Sequence, residues 1–371
     1  MSATGKEGAG EPADWPEPRE NPDLIGHDGA ERALLEAHRS GRLAHAWLIA
    51  GPEGIGKATL AFRFARFVLA GGGEPGLFGS AADDLRVDPE STLFKRVASG
   101  GHADLVTVAR SIDPNSGKLR SEIVVADVRS VSAFLHMTAA EGGWRVVIVD
   151  PADDMNRNAA NALLKILEEP PARALLLLVG HNPGRVPATI RSRCRRLTLR
   201  PLDDEAVETV LSRLRPDLAP ADVAILARLA EGSPGGALRL AGEGGLDLYH
   251  EMVELVSSLP RLDAAALHGL ADRLARRGAE ARFRAVAGLL GWWLARMIRI
   301  GAAGRGASEA QEIVPGEAAC MDRLLARADL DQWVGVWEKV TRLFTRAQAV
   351  NLDRKQVVLN AFLALENVTR P

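Results

Sequence analysis

The sequence predicts an α/β domain built on a parallel sheet, followed by a small helical lid and an all-α carboxyl-terminal domain. Three observations carry this expectation. Apolar runs alternate with amphipathic helical patterns through about residue 200, the rhythm of a doubly wound sheet covered by helices on both faces. One of those runs leads straight into a glycine-rich loop and a helix, the context in which such a loop is credible as a phosphate cradle. Beyond Arg200-Pro201-Leu202 the pattern is helical throughout. The expected divisions are a tail over 1–20, the α/β domain over 21–200, the lid over 201–245 and the helical domain over 246–371.

In order, an amphipathic stretch with Ala33, Leu34 and Ala37 on one face ends at Gly41, and Leu43-Ala44-His45-Ala46 runs into the first strand, Trp47-Leu48-Ile49-Ala50. The helix over Leu60 to Leu69 stops at Gly71-Gly72-Gly73. Residues 74–101 are rich in Gly, Asp and Pro and read as an insertion with one small helix around Leu93-Phe94-Val97. Strands are expected at Leu105 to Val108, Trp144 to Asp150 and Leu175 to Val179, almost unbroken in apolar character as buried parallel strands are. Between them lie helices from Asp127, with Val128, Val131, Phe134 and Leu135 inward, and from Asn156 to Glu169, stopped by Pro170-Pro171. The later helices are expected at 203–214, 219–230, 236–241, 249–258, 263–277, 279–300, 331–350 and 354–366, with 301–316 a flexible connection by composition.

Bulk composition excludes several classes. The chain has 371 residues, enough for two or three cores, and a net charge of −2, so no whole-surface grip on nucleic acid is implied. Its only cysteines, Cys194 and Cys320, exclude a disulfide framework or a four-cysteine zinc site and fit a reducing compartment. Residues 1–20 lack the apolar core of a signal peptide and read as a disordered tail. No apolar run approaches the roughly 20 residues needed to span a bilayer; the run at Leu289 to Trp293 is soon interrupted by Arg296 and Arg299. The expectation is a soluble cytoplasmic protein.

The glycine-rich loop is Gly51-Pro52-Glu53-Gly54-Ile55-Gly56-Lys57-Ala58-Thr59. Its glycines let backbone N–H groups converge on phosphate, at the positive end of a helix, and Lys57 stands at the neutralising position. A Ser or Thr should follow to hold Mg²⁺, and Ala58 stands there instead. Asp150, at the carboxyl end of its strand, is placed to reach a metal through water; the plainer alternative is a turn cap. Pro151 follows, where an acid should activate water, and Asp153 and Asp154 lie too far along to replace it. The most basic stretch is Ala188-Thr189-Ile190-Arg191-Ser192-Arg193-Cys194-Arg195-Arg196, by itself a solvated loop or a nucleic-acid patch.

Ser192-Arg193-Cys194, after an apolar strand and the Asn182-Pro183 turn, resembles the signature of the clamp-loader branch of AAA+ ATPases. Leu43 to Leu48 and the run Asn158 to Pro171 are similar to other blocks of that family, in the same order. The resemblance covers about residues 22–240 and implies a RecA-like core, a lid and a helical collar. It implies that Arg193 is an arginine finger acting on a neighbouring subunit's ATP, a task suited to a permanently charged, planar guanidinium. Implied partners are gamma/tau and delta subunits and primed DNA, with any sliding-clamp contact indirect.

Departures from the ATP-hydrolysing members are Ala58, Pro151 and Gly235, which stands in Gly232-Ser233-Pro234-Gly235 where those members have an arginine; the polar sensor near Gly180-His181 is not a clear match. The reading is a degenerate nucleotide site of Gly51, Gly54, Gly56, Lys57, Ala58, Thr59 and Asp150 that is empty or holds ATP or ADP without turnover, with Mg²⁺ weak or absent. The zinc module of many relatives falls at 71–103, where no cysteine occurs, so no metal is expected and His102 reads as a surface residue. The alternatives are an active motor of DNA repair or recombination, with Thr59 covering for Ala58, and a small-metabolite kinase, which explains neither Ser192-Arg193-Cys194 nor the helical third. Lys165 and the arginines near Arg195 are candidate phosphate contacts, Lys165 equally a solvated residue balanced by Glu168 and Glu169, while Trp292-Trp293 reads as helix packing or a subunit interface.

Overall fold

Alternation within the strands explains the core of the α/β region. In the structure, a computed structural model, residues 15–72, 83–141, 143–303, 312–350 and 352–370 are described. Most of the expected tail, the start of the 74–101 insertion and the middle of the 301–316 connection lie outside them. Strands β1 (Ala46–Ala50), β2 (Leu105–Val108), β3 (Arg145–Val149), β4 (Ala174–Gly180) and β5 (Arg195–Thr198) form one sheet in the order β2-β3-β4-β1-β5, every neighbouring pair parallel. Around it lie α1 (Asp28–Arg39), α2 (Lys57–Leu69), α3 (Thr92–Ala98), α4 (Val125–His136), α5 (Arg157–Glu168) and α6 (Ala188–Arg191). Leu48, Val147, Val149, Leu176 and Leu178 pack with α4, α5 and α6. The intervening Trp47, Ile49, Val146, Ile148, Leu175 and Leu177 pack with α1, α2 and α3. Because both faces are covered, every second residue is apolar on each side and the runs read as continuous.

Local signals set the helix ends. The Asn156 side chain accepts from the Ala159 N–H at 3.0 Å to start α5. The Asp127 carboxylate accepts from the Val124 N–H at 2.8 Å, so α4 begins two residues before Asp127. A second device fixes α2 from behind. The Arg66 guanidinium, 1% exposed, donates to the Arg19 and Asn21 carbonyls at 2.9 and 2.8 Å. Arg63 donates to the Pro22 carbonyl at 2.6 Å and pairs with Glu31. Burial, with Arg63 adding repulsion, pulls Arg66 down to about 10.

Two compact units emerge, Met1–Arg215 with Glu231–Gly236, and Pro216–Ala230 with Ala237–Pro371. Thus α7 (Asp204–Leu214) groups with the sheet, α8 (Pro220–Leu229) with the later helices, and α9 (Pro234–Gly242) starts in the first unit. The second unit continues through α10 (Gly245–Ser257), α11 (Ala264–Ala275), α12 (Glu280–Ala303), α13 (Glu317–Leu325), α14 (Leu330–Val350) and α15 (Arg354–Thr369). Its core contains fully buried Trp293 and Trp333, as the packing reading of Trp292-Trp293 expected for the second of the pair. Among the described residues α12 alone has the length and composition of a membrane span. It is half buried in the protein, and its Arg296 pairs with fully buried Glu317 at 2.8 Å. The same carboxylate accepts from Trp293 Nε1 at 2.8 Å, the Ile313 N–H at 2.9 Å and the Tyr249 hydroxyl, so the buried charge is fully hydrogen-bonded.

Three elements are absent from the sequence reading: α6, only 4 residues long, β5 and α13. β5 begins at the end of the stretch read as a basic loop. It is an edge strand, with Arg195, Arg196 and Thr198 exposed, so it carries no apolar run to announce it. α13 follows a glycine-rich connection and is only 9 residues long.

Candidate functional site

The loop after β1 is held by its carbonyls. Four in succession are occupied: Lys57 Nζ donates to Pro52, Ser233 Oγ to Glu53 at 2.8 Å, the Gly235 N–H to Gly54 at 2.8 Å, and His27 Nε2 meets Ile55 at 2.6 Å. The Gly51 N–H donates to the Gly180 carbonyl at 3.2 Å, joining the loop to the end of β4. With the carbonyls tied, the loop's amides remain as its anion-facing chemistry. Gly51 is obligatory: at φ +151°, a Cβ there would lie 2.6 Å from the Leu199 carbonyl oxygen.

Gly51, Gly54, Gly56, Lys57, Ala58 and Asp150 are brought together, as their spacing implied, at the carboxyl ends of β1, β4 and β3. Lys57 is 2% exposed. Burial pulls its ammonium down to about 8, against the opposing pull of Asp150, Glu53 and Asp153. Burial pushes the Asp150 carboxyl up, while His181 and Lys57 draw it back. A lysine and a carboxyl share this poorly solvated corner.

The metal and water half does not fit. Ala58 offers no oxygen, and Thr59 is buried within α2. Asp153 is committed elsewhere, its two oxygens accepting from the His181 and Asn182 N–H groups at 2.8 and 3.1 Å. Asp154 pairs with Arg110 at 3.4 Å. Neither acid replaces the one displaced by Pro151. Gly235 has a structural cause: a Cβ there would lie 3.0 Å from Gly54 Cα and 3.1 Å from its carbonyl oxygen. Two backbones touch there, so an arginine at 235 requires the loop to move.

His102 corrects the sequence reading. It is 4% exposed, accepts from the Asp104 N–H at 3.1 Å through Nδ1, and is held below the usual histidine range by burial. Among the described residues no group of three His, Cys, Asp or Glu side chains is placed to hold a metal.

Arg193 is built differently. Ile190, fully buried, anchors α6. Arg191 Nη1 donates inward to the Pro183 carbonyl at 2.9 Å, and Ser192 Oγ to the Thr189 carbonyl at 3.1 Å. Cys194 packs against the α5 side of the sheet, and burial pushes its thiol up to about 12, far from reactivity. Between these fixed neighbours Arg193 faces solvent, donating to the Thr189 carbonyl at 3.0 Å and pairing with Glu168 at 2.7 Å. Arg195, two residues on, opens β5 opposite Trp47 near the start of β1 and lies over that ring at 4.8 Å. The phosphate loop leaves the other end of β1, whose five residues span about 13 Å. Arg193 therefore sits at the opposite end of the sheet from its own loop.

The family described as DNA polymerase III, delta subunit, matches residues 26–203. Subunit delta-prime of Pseudomonas aeruginosa is 37% identical over 224 residues, 60% of this chain and 63% of the relative. This part of the chain is thus similar to proteins named as DNA polymerase III subunits. Delta-prime of Escherichia coli K12 is 35% identical over 209 residues, 56% of this chain and 57% of the relative. Subunit tau of the same organism is 29% identical over 225 residues, 60% and 32%. The chain thus spans less than two thirds of the length of these relatives. Among solved structures, a gamma subunit-related protein of Thermotoga maritima is 17% identical, covering 91% of this chain and 99% of that one with a TM-score of 0.40.

Proposed function

We propose that this chain is a delta-prime-type subunit of a DNA polymerase III clamp loader, a stator that does not itself turn over ATP. The observation that carries the reading is Gly235 packed backbone to backbone on Gly54, so that an arginine there would enter only if the loop moved. Ala58, Pro151 and the committed Asp153 support it from the metal and water side. The loop either stays empty or holds ATP or ADP unhydrolysed, without tightly bound Mg²⁺ and without zinc.

In this reading the working residue is Arg193, which completes the ATP site of an adjoining gamma/tau subunit. Its position at the far end of the sheet suits action in trans and not on its own loop. The helical unit joins gamma/tau and delta subunits in a collar. Primed DNA lies within the assembly, contact with the sliding clamp is indirect, and the work is cytoplasmic, at the replisome.

Two measurements test this. ATP hydrolysis by the isolated full chain is expected to be negligible; substantial turnover abolished by Lys57→Ala would instead identify an active motor. In a reconstituted loader, Arg193→Ala is expected to lower DNA-stimulated hydrolysis sharply, and unaltered hydrolysis would remove the finger assignment.

A further inference from the structure

We propose that Glu168 is the internal counter-ion of Arg193, which holds the guanidinium against α5 until phosphate on a neighbouring subunit displaces it. The proposal rests on the reading of Arg193 as a finger acting in trans. Its basis is the 2.7 Å pair between Arg193 Nη2 and Glu168 Oε1, with side chains 37% and 50% exposed. Nothing else in the turn competes for the role. Arg191 is committed to Pro183, Ser192 to Thr189, and Cys194 is packed inward. Arg193 is the cation of the turn that faces outward, pivoting on the Thr189 carbonyl.

Glu168 is also a carboxylate that gains from a cation. It is the last residue of α5, followed by Glu169 at the cap, where the helix dipole presents its negative end and disfavours further negative charge. A cation reaching across from α6 offsets both.

Magnitude decides between a lock and a light restraint. An exposed ion pair favours its closed form by about one- to fivefold. Fork-like, charge-assisted bonds to phosphate oxygens in a less solvated site are stronger. The carboxylate therefore yields to nucleotide, keeping the finger folded back in the free chain at little cost to the assembled one. Salt should weaken the restraint, because both partners are solvated.

The test uses the full chain in a reconstituted loader in which only the adjoining ATP site is competent, and reads kcat/KM for ATP. Glu168→Gln is expected to raise it by about two- to fivefold at low salt, with the gain shrinking as salt rises. Glu168→Asp, which keeps the charge but loses reach, is expected to give a smaller rise. The Glu168→Gln, Arg193→Ala double variant is expected to match Arg193→Ala alone, since the effect runs through the guanidinium. If Arg193→Ala lowers kcat/KM but Glu168→Gln leaves it level or lowers it, the counter-ion proposal is overturned and the finger stands. If Arg193→Ala changes nothing, the finger reading fails and this one with it. Thermal unfolding of each variant separates loss of fold from loss of contact.

Discussion

The phosphate loop and the Ser192-Arg193-Cys194 turn place their cations under opposite conditions. Lys57 is buried, bonded to the carbonyl of Pro52, and flanked by Asp150. Arg193 is exposed and carries one weak ion pair. Around Lys57 the neighbours have closed in, with Gly235 on Gly54 and Ser233 on Glu53. Around Arg193, Arg191 bonds to the Pro183 carbonyl and Cys194 packs inward, while the Arg193 guanidinium stays at the surface. A sequence match locates both sites equally well; on the proposed reading, the difference in solvation and commitment separates a scaffold from a residue that meets a partner.

The contrast is broken most directly by removing each cation in turn. Arg193→Ala is expected to slow hydrolysis at the adjoining site by about 10³-fold or more, the usual worth of a finger supplied in trans. Lys57→Ala should change the same rate far less. Comparable losses measured in the same reconstituted loader would erase the distinction. Next in size is Gly235→Arg. Restoring the missing arginine should not restore turnover and should destabilise the sheet unit by about 1–3 kcal/mol, because a side chain is forced between touching backbones; urea unfolding reads the loss.

A smaller effect concerns pH. Lys57 titrates near 8 in the folded chain against 10.5 when solvated. Between those values the unfolded chain holds the extra proton, so stability should rise with pH across that window. Lys57→Met should flatten the rise in denaturant midpoints measured from pH 8 to 10.5. The weakest lever is Glu168→Gln, whose few-fold gain sharpens the contrast by showing that the exposed cation alone is held by a replaceable partner.

Much of this was legible because burial leaves a strong mark on sequence. β1, β3 and β4 are covered on both faces, so their runs are nearly pure Ala, Val, Leu and Ile. β5 was not legible, since an edge strand starting Arg195-Arg196 looks like a loop. Ala58 and Pro151 could be read as chemical losses from their side chains alone. The reason for Gly235 could not, because the Gly54 backbone it touches is 181 residues away in the chain. His102 misled for a related reason: a lone histidine in a polar stretch gives no sign that Asp104 and the packing around it will bury the ring. Motif spacing located Arg193, yet its remoteness from its own loop follows only from parallel pairing of β5 with β1.

The buried arginines behind α2 extend the domain in a direction its motifs do not mark. Arg66 and Arg63 end on the carbonyls of Arg19, Asn21 and Pro22, so main chain well upstream of the first helix completes the hydrogen bonding of the helix that carries Lys57. A fragment starting at Leu24 would keep every recognisable motif and still leave two interior guanidiniums short of acceptors. For anyone trimming, tagging or grafting this domain, the working boundary lies before Arg19, at a turn of chain that the α2 helix wears like a belt.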